Sequence, residues 1–94
     1  MAIRSFGDAK TEAVFNGSRA ARIPVDVARR ARAKLQVLDA AASPNDLRVP
    51  PGNRLEALRG DLAGKYSIRI NDQWRIVFRW KGADAYDVLI LDYH

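Results

Sequence analysis

The sequence predicts an α+β fold in which two N-terminal helices pack on one face of a twisted, mainly antiparallel sheet, in the order β-α-α-β-β-β. Three observations support this prediction. Residues 65–80 alternate between apolar and polar side chains around a short polar interruption, as the two strands of a hairpin do. Residues 24–41 place small and apolar side chains at helical spacing. Residues 85–92 contain a continuous apolar run that is typical of a further strand.

The start of the chain supplies a brief strand and a short helix. Ala2–Phe6 alternates imperfectly between apolar and polar residues, which predicts a brief strand. Asp8 is a good N-cap for a helix over Ala9–Asn16, and Gly17 stands where a helix C-cap belongs.

The second predicted helix begins near Pro24, which suits a first helical turn, and runs to about Ala41. Its apolar stripe consists of Ala28, Ala31, Leu35 and Leu38. The opposite face is basic and holds Arg29, Arg30, Arg32 and Lys34. This basic face is either an ordinary solvated helix surface or a docking surface for RNA phosphates or an acidic partner.

The middle of the chain is rich in turn-forming residues. Ser43–Asn53 is predicted to be a loop, with the dipeptide Pro50-Pro51 holding it extended rather than helical. A short strand or extended segment is expected around Asn53–Leu58.

The last strand is expected over Ala85–Asp92, after a turn at Lys81–Asp84. Its residues Val88–Leu91 are consecutively apolar, which favours a strand that is covered on both faces.

The register of the hairpin follows from the burial of one face. A three-residue loop, Asn71–Gln73, pairs the apolar residues of the two strands with one another, whereas a two-residue loop would mix charged side chains with the core. The same register sets Arg69 opposite Arg75 and Lys65 opposite Arg79. Like charges directly opposite each other destabilise a strand pair, so this face either binds an anion or is a solvated surface with splayed side chains.

Composition excludes several classes of protein and favours a polyanionic partner. The chain has 94 residues, as expected of one domain, and contains no cysteine and one histidine, so neither disulfides nor a zinc site is expected. It holds 16 Lys and Arg against 11 Asp and Glu, a net charge of +5 that suits nucleic acid. Since neither a membrane span nor an apolar signal core is present, a soluble cytoplasmic protein is expected.

The residues that could perform chemistry without a metal or cofactor stand near the end of the sequence. His94 is the one side chain whose ordinary pKa lies near neutrality, and it follows Asp92 and Tyr93. RNA can be cleaved by its own 2′-OH, which requires proton-transfer groups and cations around the phosphate. Arg75 and Arg69 could supply that positive charge. A terminal histidine is also often frayed and idle, so the residues alone leave both interpretations open.

Three runs of residues together resemble one protein family. Arg54–Asp61, Gly64–Ile76 and Asp92–His94 are similar to the HigB-type toxins, which belong to the RelE/ParE superfamily of bacterial type II toxin–antitoxin systems. Ile3–Phe6 and the helix that begins at Ile23-Pro24 also stand where that family has them.

The resemblance implies a single RelE-like toxin domain over residues 1–94 and a ribosome-dependent mRNA endoribonuclease. Such a toxin enters the ribosomal A site and cuts translated mRNA by 2′-OH attack, with no metal or cofactor. Its implied partners are the ribosome, mRNA and a cognate HigA-like helix-turn-helix antitoxin. The resemblance implies contact with operator DNA only through the antitoxin complex, and no membrane partner.

The resemblance also implies roles for individual residues. It implies that the catalytic residues are Arg75, His94, Tyr93 and Asp92. Arg75 would stabilise the scissile phosphate, and His94 would act as the acid or base. The residues implied to bind RNA are Arg59, Lys65, Arg69, Asn71 and Arg79. Asn71 departs from relatives that have arginine in this part of the hairpin, and Arg69 is the candidate to replace it. Arg75 and His94 are therefore expected to be neighbours in space.

Two other functions stay open at this point. One is a non-catalytic module, or degenerate toxin, whose basic sheet binds RNA or a partner mainly within an antitoxin complex. The other is a transcriptional co-factor that acts on DNA only as part of that complex.

Overall fold

A computed structural model of the chain describes residues 1–93. Within them lie two α-helices and four strands: α1 (Ala9–Phe15), α2 (Val25–Ala40), β1 (Glu56–Ala57), β2 (Lys65–Arg69), β3 (Trp74–Lys81) and β4 (Asp84–Asp92). The strands form one antiparallel sheet in the order β1-β2-β3-β4. The predicted α+β class and antiparallel sheet are therefore confirmed.

Asp8 caps the N-terminus of α1, as the sequence predicts. Its Oδ1 accepts a hydrogen bond from the Thr11 N–H at 2.9 Å, and Lys10 Nζ donates to Oδ2 at 2.7 Å. Burial alone would raise the pKa of Asp8, but the hydrogen bonds from Lys10 and Thr11 outweigh burial and hold that pKa below its ordinary value. The Asp8 carboxylate therefore stabilises the fold when it is ionised.

Replacement of Asp8 by alanine is expected to lower the free energy of unfolding by about 1 kcal/mol at neutral pH, because Thr11 N–H loses its partner. Since the folded pKa lies below the unfolded one, the contribution is complete well above about pH 4 and declines as the pH falls through the folded value. Urea unfolding of both proteins at several pH values measures this. Glu12→Ala, at an exposed position of the same helix turn, is the control. An equal decrease in the free energy of unfolding in both variants would show that the Asp8 cap does not cause the decrease.

Helix α2 packs its apolar stripe against the sheet. The buried residues of α2 are Val27, Ala31, Leu35 and Leu38, which confirms the predicted burial of Ala31, Leu35 and Leu38. Ala28, also predicted in the stripe, is only half-buried and lies at its margin. No helix among residues 1–93 has the length and apolar character needed to cross a membrane.

The hairpin has the predicted register. Arg69 is the cross-strand partner of Arg75, and Lys65 is the partner of Arg79. Asn71 closes the three-residue loop, because its Oδ1 accepts hydrogen bonds from the backbone N–H groups of Gln73 and Trp74 at 2.9 and 2.8 Å. Burial of the apolar face and local turn chemistry thus select the same pairing.

The core lies on the helix side of the sheet. Strand residues Ile68, Ile76, Phe78, Val88 and Ile90 point into it and are at most 1% exposed. The prediction that Val88–Leu91 is covered on both faces is wrong, because Leu89 is only half-buried and Leu91 is exposed. Strand alternation turns these two leucines towards the open face, which bears no helix.

Gly7 lies close against Leu89 of β4. A Cβ atom at this position would lie 2.2 Å from Leu89 Cδ2 and 3.2 Å from the Asp87 carbonyl oxygen. The absence of a side chain at Gly7 therefore lets the chain pass over β4 on its way to α1.

The predicted strand Ala2–Phe6 is reduced to two isolated bridges. Ile3 pairs with Ala85 and Phe6 with Val88, both in parallel orientation to β4. The predicted strand around Asn53–Leu58 is likewise reduced to the two residues of β1. Neither segment has enough alternating residues to extend a ladder.

The prediction of an extended stretch around Pro50-Pro51 is right for Val49 and Pro50, whose backbone is extended, and wrong for Pro51–Asn53, which forms a 3₁₀ turn. The 3₁₀ turns Pro44–Arg48 and Pro51–Asn53 fill the loop between α2 and β1. Each turn has proline at its first helical positions, and Ser43 with Asp46 forms a capping box for the first turn. Proline suits the start of a helical turn, and the residues before these prolines, Ser43, Val49 and Pro50, keep the extended backbone that a following proline favours.

Candidate functional site

The open face of the sheet is basic along β2 and β3 and apolar along β4. Alternation sets the following residues on this face: Lys65, Ser67, Arg69, Arg75, Val77, Arg79, Leu89 and Leu91. A hollow of about 290 Å³ lies here, with an apolar floor of Leu58, Leu62, Val77, Leu89, Leu91 and Tyr93. Charged side chains beside an apolar hollow suit a nucleotide, whose base is flat and largely apolar and whose phosphate is anionic.

Arg75 is the most firmly held cation of this face. Its Nε donates to Ser67 Oγ at 3.0 Å, and its Nη2 donates to the Arg54 carbonyl oxygen at 2.9 Å. The same Nη2 lies 3.4 Å from Glu56 Oε1, and the side chain is 13% exposed. Because the guanidinium group is already ordered, a phosphate would bind to it without a large loss of side-chain entropy.

Tyr93 lies against this arginine. The Arg75 Cζ atom is 5.9 Å from the centre of the Tyr93 ring, a cation–π contact. The backbone N–H of Tyr93 donates to the Gln73 carbonyl oxygen, which ties the residue to the hairpin loop. Two residues that the resemblance assigns to catalysis are thus brought together, and Tyr93 remains 42% exposed.

Glu56 is a neighbour of Arg75 that the sequence does not predict. It stands on β1 as the cross-strand partner of Ser67, and this pairing directs its carboxylate to Arg75. The side chain is 62% exposed, so solvent and substrate can reach it. A carboxylate beside a phosphate-binding arginine can accept a proton from a hydroxyl group. The stretch Arg54–Asp61 is part of the resemblance to the HigB-type toxins. A strand of two residues, however, shows no alternation that would identify Glu56.

Two of the other predicted RNA-binding cations have acidic partners. Arg69 forms an ion pair with Asp72, a residue of the hairpin loop. Arg79 lies 3.4 Å from Asp87 and its guanidinium carbon is 5.4 Å from the centre of the Tyr86 ring. The repulsion expected from the like-charge strand pairs is therefore reduced by these local partners.

The remaining predicted RNA-binding residues differ in their surroundings. Lys65 is half-buried and lines the hollow, whereas Arg59 is exposed just before the 3₁₀ turn Gly60–Leu62. Asn71 uses its side-chain oxygen to close the hairpin loop. The structure thus gives Asn71 a role in the turn and places Lys65 at the hollow that Tyr93 also lines.

Asp92 is separated from Arg75 by strand alternation. It is the cross-strand partner of Trp74, whose ring packs into the core, so Asp92 lies on the helix side of the sheet. Its Oδ1 accepts a hydrogen bond from Gln73 Nε2 at 3.0 Å. His94, and with it the expected proximity of His94 to Arg75, lies outside the described residues.

Comparison with known proteins places this geometry in context. The family described as HigB-like toxin, RelE-like toxin of type II toxin-antitoxin system HigB, matches residues 4–94. The chain is 30% identical over 92 residues to Endoribonuclease HigB from Proteus vulgaris, covering 98% of this chain and 99% of that protein. It is 50% identical over 58 residues to Toxin HigB-1 from Vibrio cholerae, covering 62% of this chain. That match spans 61% of the Vibrio protein, less than two thirds of its length.

Solved structures share the fold at low sequence identity. The YoeB dimer from Staphylococcus aureus superimposes with a TM-score of 0.62 at 19% identity, over 100% of this chain and 97% of that one. The YoeB–YefM complex from the same organism gives a TM-score of 0.63 at 17% identity, over 100% and 99%. At such identities the similarity establishes the fold alone.

Proposed function

Since the chain belongs to the HigB-like family, the RelE-like toxins of type II toxin–antitoxin systems, we propose that it is a ribosome-dependent endoribonuclease. It cleaves translated mRNA in the ribosomal A site and thereby inhibits translation and growth. The observation that supports this proposal best is the ordered Arg75 guanidinium on an open basic face, with Tyr93 and Glu56 against it. A related protein named as an endoribonuclease adds to that support.

The proposed reaction uses the RNA's own 2′-OH as the nucleophile. The 2′-oxygen attacks the adjacent phosphorus and loses its proton, while the bond from phosphorus to the 5′-oxygen of the next nucleotide breaks. The products are a 2′,3′-cyclic phosphate and a 5′-OH, which takes up a proton. Arg75 stabilises the additional negative charge that develops on the phosphate oxygens, and it does so from a preorganised position.

Two proton-transfer groups are needed, and the chain offers a candidate for each. Glu56 is suited to accept the proton from the 2′-OH, because its carboxylate already lies beside the arginine that would hold the phosphate. His94 is the candidate donor to the leaving 5′-oxygen. Tyr93 is suited to stack on a base next to the scissile phosphate, since its ring is exposed at the hollow. Lys65 and Arg59 are further cations for the RNA backbone.

The proposed partner that controls the toxin is a cognate HigA-like helix-turn-helix antitoxin. Membership of a type II toxin–antitoxin family supports an antitoxin as partner, and one fold relative was solved as a YoeB–YefM complex. The toxin meets operator DNA only through that complex, and it acts in the cytoplasm, where translation takes place.

Incubation of the purified chain with ribosomes that translate a defined mRNA tests the proposed activity. We expect 5′-OH ends within the translated region, mapped by primer extension. The same mRNA without ribosomes is expected to stay intact, and addition of the antitoxin is expected to abolish cleavage. Equal cleavage of free mRNA would refute ribosome dependence. RNA binding without any cleavage would favour the non-catalytic module instead.

A further inference from the structure

A second group of cations lies where helix α2 meets the edge of the sheet. Arg30 and Lys34 stand four residues apart on α2, so their side chains are neighbours on one helix face. Ile68, the residue before Arg69 on β2, lines one cavity together with Lys34, and the charge of Arg69 helps to lower the pKa of Lys34. Within residues 1–93, Arg30 and Lys34 form no ion pair with a carboxylate. Arg30 and Arg69 thus stand on either side of Lys34 in the sense that each repels its positive charge.

Lys34 is fixed in place despite this repulsion. Its Nζ donates to Asn53 Oδ1 at 2.5 Å, and Asn53 is itself buried and donates to the Leu47 carbonyl oxygen at 3.1 Å. Burial, and then the positive charges of Arg30 and Arg69, lower the pKa of Lys34. An ammonium group has three N–H donors, and Asn53 takes one of them. The arrangement therefore holds donors ready for an anion that the chain does not itself supply.

This cation group is continuous with the Arg75 site. Arg69 is the direct cross-strand partner of Arg75, and its neighbour on β2, Ile68, lines the same cavity as Lys34. The acidic partner of Arg69 is Asp72, whose side chain is 98% exposed. Exposed ion pairs contribute little to stability, so a phosphate can displace Asp72 at small cost. Cations thus follow one another from Arg75 through Arg69 and Lys34 to Arg30.

We propose that Arg69, Lys34 and Arg30 form a phosphate track, which binds the backbone of the single-stranded RNA whose scissile phosphate lies at Arg75. The track would extend the substrate site over the edge of β2 onto α2. This proposal rests on the proposed function. A single RNA strand is the occupant that fits, because evenly repeated phosphates match a row of cations that begins at the candidate cleavage site. A cavity of about 240 Å³ beside Lys34, lined by Val37, Val49 and Pro50, gives a nucleotide of this strand an apolar wall.

The salt dependence of RNA binding tests the phosphate track. Affinity for a 2′-O-methyl oligonucleotide, which cannot be cleaved, is measured by fluorescence anisotropy over a range of salt concentrations. We expect Arg30→Gln and Lys34→Gln each to reduce the slope of log K against log salt by about 0.7, the value for one phosphate contact on single-stranded nucleic acid. Arg30 is exposed and its replacement leaves the fold intact, whereas thermal melting shows whether Lys34→Gln, which alters the Asn53 contact, stays folded.

Arg29→Gln is the matched control for the phosphate track. It removes the same charge from the same helix, at an exposed position one residue away that points in a different direction around the helix. An unchanged slope in Arg30→Gln, or an equal decrease in Arg29→Gln, would overturn the track. A loss confined to the binding of ribosomes without mRNA, or to the antitoxin, would also overturn it, because the occupant would then be ribosomal RNA or a protein.

The phosphate track and the proposed activity can fail separately. If the protein cleaves mRNA on ribosomes while both slopes are unchanged, the endoribonuclease proposal stands and the track is refuted. If the slopes decrease as expected while no cleavage occurs, the track stands and the endoribonuclease proposal is refuted.

Discussion

Arg75→Ala is expected to lower the rate of mRNA cleavage on ribosomes by about 10²–10³-fold, the usual effect of removing one preorganised group that stabilises charge in a transition state. The guanidinium is the group best placed for that role, since Ser67, the Arg54 carbonyl and Glu56 fix its position. Single-turnover cleavage with excess protein measures the chemical step apart from product release.

The interpretation of Arg75→Ala requires two controls. Arg4→Ala removes the same charge from an exposed arginine that is paired with Asp84, at the far end of β4 from Tyr93, and is expected to leave the rate nearly unchanged. Arg75→Lys retains the charge but cannot supply the planar fork that meets Ser67 and Arg54 together, so we expect it to restore only part of the rate. Thermal melting must show that Arg75→Ala is folded, because the variant leaves the buried Ser67 hydroxyl without its present donor. A wild-type rate in folded Arg75→Ala would refute the site.

His94→Ala is expected to lower the cleavage rate by about 10²–10⁴-fold, the range for loss of a general acid or base. The expectation rests on the sequence, in which His94 directly follows a tyrosine that contacts Arg75. The measurement is single-turnover cleavage of wild type and variant on the same ribosome complexes.

An RNA with sulfur in place of the bridging 5′-oxygen at the cleavage position separates the two possible roles of His94. A thiolate leaves without taking up a proton, so the substitution makes a general acid unnecessary. If His94 donates the proton, His94→Ala is expected to cleave this RNA almost as fast as wild type does. A defect of the same size on both substrates would assign His94 to the base, and a wild-type rate on normal RNA would exclude it from catalysis.

The hairpin could be predicted from the sequence in detail because burial allows one register. A slip by one residue would have turned Ile68 and Ile76 to solvent, so the arginine pair Arg69–Arg75 on the other face follows from the apolar pattern. The ends of α1 and α2 were predictable for a similar reason, since capping at Asp8 and the position of Pro24 depend on local chemistry.

The parts that could not be predicted depend on contacts between distant segments. Glu56 reaches Arg75 because β1 pairs with β2, and a two-residue strand has no periodicity that would reveal it. The phosphate track joins residues of α2 to Arg69, which no spacing in the sequence could indicate. The apolar run Val88–Leu91 is compatible with one covered face or two, and only the position of the helices decides between them.

The connectivity of the sheet has a consequence for the synthesis of the protein. Strands β1 to β4 pair with their neighbours along the chain and therefore need to close only short loops, which favours rapid folding. The first residues are different, because Ile3, Ser5 and Thr11 each have a partner on β4, far away along the chain. A nascent chain whose β4 is still inside the exit tunnel thus lacks the β4 partners of Ser5 and Thr11, and it also lacks Tyr93, which contacts Arg75. The docking of the N-terminal residues onto the sheet is therefore completed only after β4 has left the exit tunnel.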